Sequence, residues 1–158
     1  MKADPKKDGI DHINVYSQGQ TELGRLLSNF AHTPFTCSDG KFESVEGYWY
    51  WLLSKHPERD RLRSLHGFMA KQVGRELITD RSETDSNHQG FHEKIYNAYA
   101  AKLASNPRVK ELLKASELPF KHYYVYSGKV VPVEQYDWLM TYWESLRSDL
   151  YDGNLVVD

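Results

Sequence analysis

The sequence predicts an α+β domain, mainly helical, with short β-hairpins. Three observations predict it. Helical periodicity fills most of the chain from Ser44 onward. The β-branched and aromatic runs are short, and Asp-Gly and Ser-Gly turn signals interrupt them. The strands do not alternate regularly with helices, as a doubly wound parallel sheet requires.

The elements follow in order. Residues 1–10 are charged, contain Pro5 and Gly9, and read as a flexible N-terminus. "HINVYS", His12 to Ser17, alternates with a β-branched and aromatic bias and predicts a short strand. Asp39-Gly40 in "TPFTCSDGKFES" predicts a hairpin. A helix is expected from Ser44 to about His56, where Pro57 pushes the preceding residue away from helical geometry. "PERDRLRSLHGFMAKQVGRELI" predicts one or two helices with a weak point at Gly67, and "TDRSETDSN" a polar loop. "HQGFHEKIYNAYAAKLAS" predicts an amphipathic helix. Asn106-Pro107 ends it and starts another, with Asn106 as N-cap and Pro107 in the first helical position. "FKHYYVYSGKVVPVE" predicts a hairpin around Ser127-Gly128, and a last helix runs from about Val133 to Leu150. Residues 11–150 are expected to form a single domain, followed by an acidic tail at 151–158.

The 158 residues are 40% hydrophobic and include 21 Tyr, Trp and Phe. That is enough for a sizeable core, and the aromatics serve either as core filling or as a stacking surface for a flat ligand. A net charge of -2 gives no global attraction to nucleic acid or to an anionic membrane. Locally, however, Lys55 to Arg81 carries seven Lys or Arg against four acids. Such a section is either a solvated helix face or a seat for phosphate. One cysteine, Cys37, excludes an internal disulfide and reads as a small packed residue. No apolar run reaches the ~18 residues of a membrane span. The N-terminus has no apolar signal region, so a cytoplasmic location is expected.

The "SVEGYWYWLL" helix places Val45, Trp49 and Leu52 in one row, Tyr48 and Trp51 on another face, and Glu46, Tyr50 and Leu53 in a third. All three rows are rich in large apolar groups, so the helix is expected to be buried on most sides. Glu46 has two readings. As a first-turn carboxylate it complements the helix dipole. As a carboxylate at a cleft wall or in a hydrogen-bonded recess it has a shifted pKa and can do chemistry. Ser28, Asn29 and Thr33 offer polar partners nearby in sequence, although Asn29 also suits a turn. Gly74-Arg75 offers a guanidinium beside a small residue, suited to phosphate or to the surface. His88 and His92 have metal-pair spacing, but Gly90 interrupts it and no third ligand is evident, so no metal is expected. No P-loop, dinucleotide-binding glycine motif or triad signature occurs.

Taken in order, "LLSNF", "PF", "DGKF", "SVEGYW" and "AKQVGRE" resemble the YbiA-like, or NADAR, family. The resemblance covers Ile13 to about Glu76 well and continues more weakly through "AAKLASNPRVKELLKAS" and "WLMTYWESLRSDL". It departs at Gly47, Tyr50 and Leu53, where the family usually has His, Gln and Lys. The family's C-terminal Trp-Gly and Asn-x-Leu-Gly segment is not recognisable; Tyr126 and Asp137 stand in that region.

The resemblance implies hydrolysis of an N-glycosidic bond, either in an early riboflavin intermediate or in ADP-ribosylated guanine. It implies a small-molecule N-ribosyl or ADP-ribosyl substrate, with ADP-ribosylated nucleic acid as a further candidate, and no cofactor. Glu46 would then be catalytic. Ser28 and Asn29 would line the substrate, with Asn29 on ribose hydroxyls or water. Phe30, Tyr48 and Trp49 would stack or shape the pocket. Gly74 and Arg75, with Lys71 or Lys41, would hold phosphate, and Tyr126 and Asp137 would stand in for the missing C-terminal motif. The departures also leave a non-catalytic ADP-ribose or nucleotide-binding module as the alternative.

Overall fold

The computed structural model describes residues 3–78 and 89–153. The fold is α+β. In chain order the elements are β1 (Ile13–Asn14), α1 (Glu22–Leu27), β2 (Phe35–Cys37), β3 (Gly40–Phe42), α2 (Val45–Leu53), α3 (Gly67–Leu77), α4 (Gln89–Ser105), α5 (Pro107–Ala115), β4 (Phe120–Lys121), β5 (Tyr123–Tyr126), β6 (Lys129–Pro132) and α6 (Asp137–Asp152). Packing groups them into two units: residues 3–28 with 108–153, and residues 29–78 with 89–107. The polar loop expected at 79–87, His88 and the end of the acidic tail lie outside the described residues.

In the first unit β1 runs parallel to β4, with Ile13 opposite Phe120 and Asn14 opposite Lys121. Two residues make a weak ladder, and the buried Asn14 side chain lengthens it. Its Nδ2 donates to the Tyr123 carbonyl at 3.0 Å, and its Oδ1 accepts the Tyr123 N–H at 3.0 Å. Buried backbone groups that a strand would satisfy are thus satisfied by an amide of matching shape. From Asp4 on, the stretch expected as a flexible N-terminus makes defined contacts. Asp4 caps a 3-10 turn over Pro5–Lys7. The buried Asp8 carboxylate then accepts the backbone N–H groups of Asn14 at 2.9 Å and Gln20 at 2.8 Å. Charge suggested a loose end, but here a charge is the anchor, because the carboxylate satisfies two amides.

α1 was not expected from periodicity. It is six residues long and depends on Thr21, whose hydroxyl caps Gly24 N–H at 2.9 Å. β5 and β6 form the expected hairpin, with Ser127 at φ 49° and Gly128 at φ 77° across the two-residue turn. α6 buries Leu139, Met140, Trp143, Leu146 and Leu150, a helical stripe at three- and four-residue spacing.

In the second unit β2 and β3 form the other expected hairpin, closed through Ser38 and Asp39, with Gly40 at φ 107° just after the turn. Phe35 and Phe42 face each other across it with ring centroids 6.0 Å apart. α2 starts at the buried Ser44, whose Oγ accepts Gly47 N–H at 3.0 Å and donates to the Leu65 carbonyl at 2.9 Å. The helix ends at Leu53, three residues before the expected His56. Ser54 turns extended there, and its hydroxyl donates to the last carbonyl of α3, Leu77 O, at 2.8 Å.

The basic 55–63 stretch is largely structural. The Arg59 guanidinium lies 3.7 Å from the Trp51 ring centroid and donates to the carbonyls of Trp51 and Ser54. Arg63 pairs with Asp60 at 2.8 Å. Asn106 separates α4 from α5, and Pro107 takes the first helical position as expected. The Asn106 amide donates to Pro34 O at 2.9 Å and to Lys102 O at 2.8 Å, closing the end of α4 onto the chain entering β2.

Candidate functional site

The second unit assembles a constellation around Glu46. The 29–31 turn is held against the start of α2 by the Glu46 N–H, which donates to the Asn29 carbonyl at 2.9 Å. Tyr99, from α4 and almost wholly buried, donates its hydroxyl to Asn29 Oδ1 at 2.7 Å. α3 brings Lys71 and Arg75 close enough for their charges to act on Glu46. Lys71 Nζ also lies 5.9 Å from the centroid of the Phe30 ring. Residues from three helices and a turn, up to 70 positions apart, thus surround the start of α2, and the charges of Lys71, Arg75 and Glu46 act on one another's surroundings there.

Glu46 is half-buried, so solvent reaches it. Protein nevertheless crowds it enough that desolvation pushes its pKa up to about 7, against the opposing pull of Lys71 and Arg75. The carboxyl is thus both partly exposed and desolvated. At neutral pH it exchanges between acid and carboxylate, the condition for proton transfer in either direction. Tyr99 feels the same environment: burial, and then the Glu46 charge, raise its pKa, so the phenol stays protonated as a donor to Asn29.

Several expected site residues lie elsewhere or have another task. Tyr48 is 1% exposed; its ring packs 4.7 Å from Phe42, and its hydroxyl donates to Asp39 Oδ2 at 2.6 Å. Burial would raise the Asp39 pKa, but the bonds from Tyr48 and Lys94 outweigh it and leave it lowered. Tyr48 is therefore core of the β2–β3 hairpin, on the opposite side of α2 from Glu46. Trp49 is 7% exposed and packs edge-on against Phe91, 4.7 Å away, so it is a wall rather than an open stacking surface. Gly74 is fixed by packing: a Cβ there would lie 2.2 Å from Tyr50 Cγ. Gly47 has a like role, since a Cβ there would meet the Leu62 carbonyl at 2.5 Å. Two of the three departures in α2, Gly47 and Tyr50, are thus matched by close packing around that helix.

Tyr126 and Asp137 belong to the first unit, whose residue Ser28 directly precedes Asn29. Ser28 is buried at the end of α1. Tyr126 is exposed at the tip of β5, with its ring 5.9 Å from that of Tyr124. Asp137 opens α6 and borders a cleft of about 590 Å³ that His122 and Tyr123 also line. His122 donates through Nδ1 to Val15 O at 2.7 Å, and burial holds its pKa down. Cys37 is a half-buried strand residue, as expected. Among the described residues no group of three or more His, Cys, Asp or Glu could hold a metal ion. No helix among them is long and apolar enough to cross a membrane.

Periodicity alone missed two residues. Tyr99 lies in the helical row of Ile95 and Leu103, and only the reach of its hydroxyl across to the 29–31 turn gives it a polar function. Lys102, one turn further on, is wholly buried, and desolvation pushes its pKa down to about 7. A lysine inside the apolar row of Ile95, Tyr99 and Leu103 was the signal available.

Among solved structures, the chain is similar to the NMR structure of the Escherichia coli protein YbiA, with a TM-score of 0.67. The match covers 98% of this chain and 90% of that one, at 20% sequence identity. The fold is YbiA-like. No protein-family model and no curated protein matches the sequence.

Proposed function

We propose that the protein is an N-glycosidase in which Glu46 carries the hydrolysis. The observation that carries this reading is the partly exposed, desolvated carboxyl of Glu46, with its pKa near 7 and within electrostatic reach of Lys71 and Arg75. Breaking a C1′–N bond builds positive charge on the ribose ring, and a carboxylate at that point stabilises it. Glu46 also takes a proton from the attacking water. The water oxygen bonds to C1′, the C1′–N pair leaves with the base, and the base nitrogen takes its proton from solvent, to which Glu46 returns the one it gained. Asn29, held by Tyr99, orients the water or a ribose hydroxyl. Lys71 and Arg75 face the phosphates of a ribose 5-phosphate or ADP-ribose moiety.

The test is base release followed by mass spectrometry, in parallel on riboflavin intermediates, ADP-ribosylated guanosine and ADP-ribosylated DNA. Glu46→Gln is expected to lower the rate by about 10²–10⁴-fold or more, the size of an acid–base contribution. Full activity in that variant removes Glu46 from the reaction. Calorimetric binding of ADP-ribose without release from any substrate assigns a binding module instead.

A further inference from the structure

The fold buries Tyr48 and Trp49, the residues of α2 best suited by type to stack a flat ring. The large aromatic of the second unit left most open is Phe68, 68% exposed in the first turn of α3. At 3.6 residues per turn, Phe68 and Arg75 lie nearly in line, two turns and about 10 Å apart, with Lys71 between them and to one side. The opposite face of α3, formed by Ala70, Val73, Gly74 and Leu77, is the buried one. Phe68 therefore stands on the same edge of the helix as the two cations that act on Glu46. Its neighbour Gly67 lies against Phe30, the residue whose ring approaches Lys71: a Cβ on Gly67 would be 3.8 Å from the Phe30 carbonyl oxygen.

A lone exposed Phe is common and by itself means little. An exposed Phe in line with Lys71 and Arg75 offers something more definite. It presents an apolar plane at one end of a cationic row, the complement of a molecule with a flat ring at one end and phosphates at the other. Bases stack on aromatic side chains irrespective of base identity, because each has a π-face.

We infer that Phe68 is a specificity-determining residue, a stacking platform for the flat ring of a nucleotide-like substrate whose phosphates lie along Lys71 and Arg75. The inference rests on the N-glycosidase reading for the identity of the reaction, but not for the contact itself. Phe68→Ala removes only an exposed side chain and introduces a strong helix former, so the fold is retained.

The experiment is calorimetry on the full chain and on Phe68→Ala and Phe68→Trp, titrated with ADP-ribose and, separately, with ribose 5-phosphate, which has no ring to stack. Phe68→Ala is expected to weaken ADP-ribose about 10-fold and leave ribose 5-phosphate unchanged, while Phe68→Trp retains ADP-ribose. Equal affinity of Phe68→Ala and the parent for ADP-ribose overturns the inference. So does an equal loss for both probes, failure of Phe68→Trp to retain affinity, or no ADP-ribose binding by the parent. The two readings fail separately. If Phe68→Ala binds normally while Glu46→Gln loses base release, the platform falls and the N-glycosidase stands. If Glu46→Gln keeps base release while Phe68→Ala discriminates between the probes, the platform stands and Glu46 falls.

Discussion

Replacing Glu46 by Gln should stabilise the protein at alkaline pH. Unfolded Glu46 titrates near 4.5, and in the fold desolvation moves it to about 7. Between those values the folded chain holds a proton that the unfolded chain has lost. The stability from this group is therefore complete below pH 4.5 and is lost as pH rises through 7. At about 1.4 kcal/mol for each tenfold change, the full loss is about 3 kcal/mol. Solvent reaching the half-buried carboxyl reduces it, and we expect Glu46→Gln to gain about 2 kcal/mol at pH 8 and nothing at pH 4.5. For a chain of this size that is about 5 °C in Tm. Urea unfolding of parent and variant at the two pH values measures it. A gain of the same size at both, or a loss at pH 8, would refute the argument that desolvation sets the state of Glu46. A simple helix-dipole carboxylate predicts that loss, because removing its charge weakens the first turn.

Three further perturbations test the fold and its buried charges. Gly74→Ala drives a methyl into the Tyr50 ring and should cost about 1–3 kcal/mol in urea unfolding, with part recovered in Gly74→Ala/Tyr50→Ala; an unchanged midpoint would mean the two helices part freely. Asn14→Ala removes both bonds to the Tyr123 backbone and strands a buried N–H and C=O, at about 2–3 kcal/mol, read from the same midpoints. Lys102 has its pKa lowered from 10.5 to about 7, so the unfolded chain takes up a proton between those values and stability rises with pH across that window. Lys102→Met should abolish that rise, and parallel slopes for parent and variant from pH 7 to 10 would contradict it.

What the sequence determined was local. The β2–β3 hairpin is legible because Asp39-Gly40 marks a turn, with Gly40 free to take φ 107° just after it, and Ser127-Gly128 marks the turn of β5–β6. α4 and α6 are legible because a 3.6-residue apolar period repeats over enough turns to outweigh its exceptions, and α2 because a continuous apolar and aromatic run lies between Ser44 and Pro57. Glu46 stood out because a carboxylate inside three apolar rows needs a reason. α1 was not legible: six residues held by one threonine cap leave too short a period.

What only the tertiary structure decided is which aromatics and which polar groups are open. Tyr48, Trp49 and Phe68 are alike in type, yet packing places the first two behind the β2–β3 hairpin and against α4, and leaves the third in solvent. Asp8 and Lys102 are charges that sequence alone would leave at the surface. One is retained inside because two backbone amides satisfy it, and the other is held at a depressed pKa. Glu46 acquires its pKa near 7 from helices and turns that are distant in sequence. Desolvation is a property of everything within a few ångströms of a group, and no spacing along one helix encodes it.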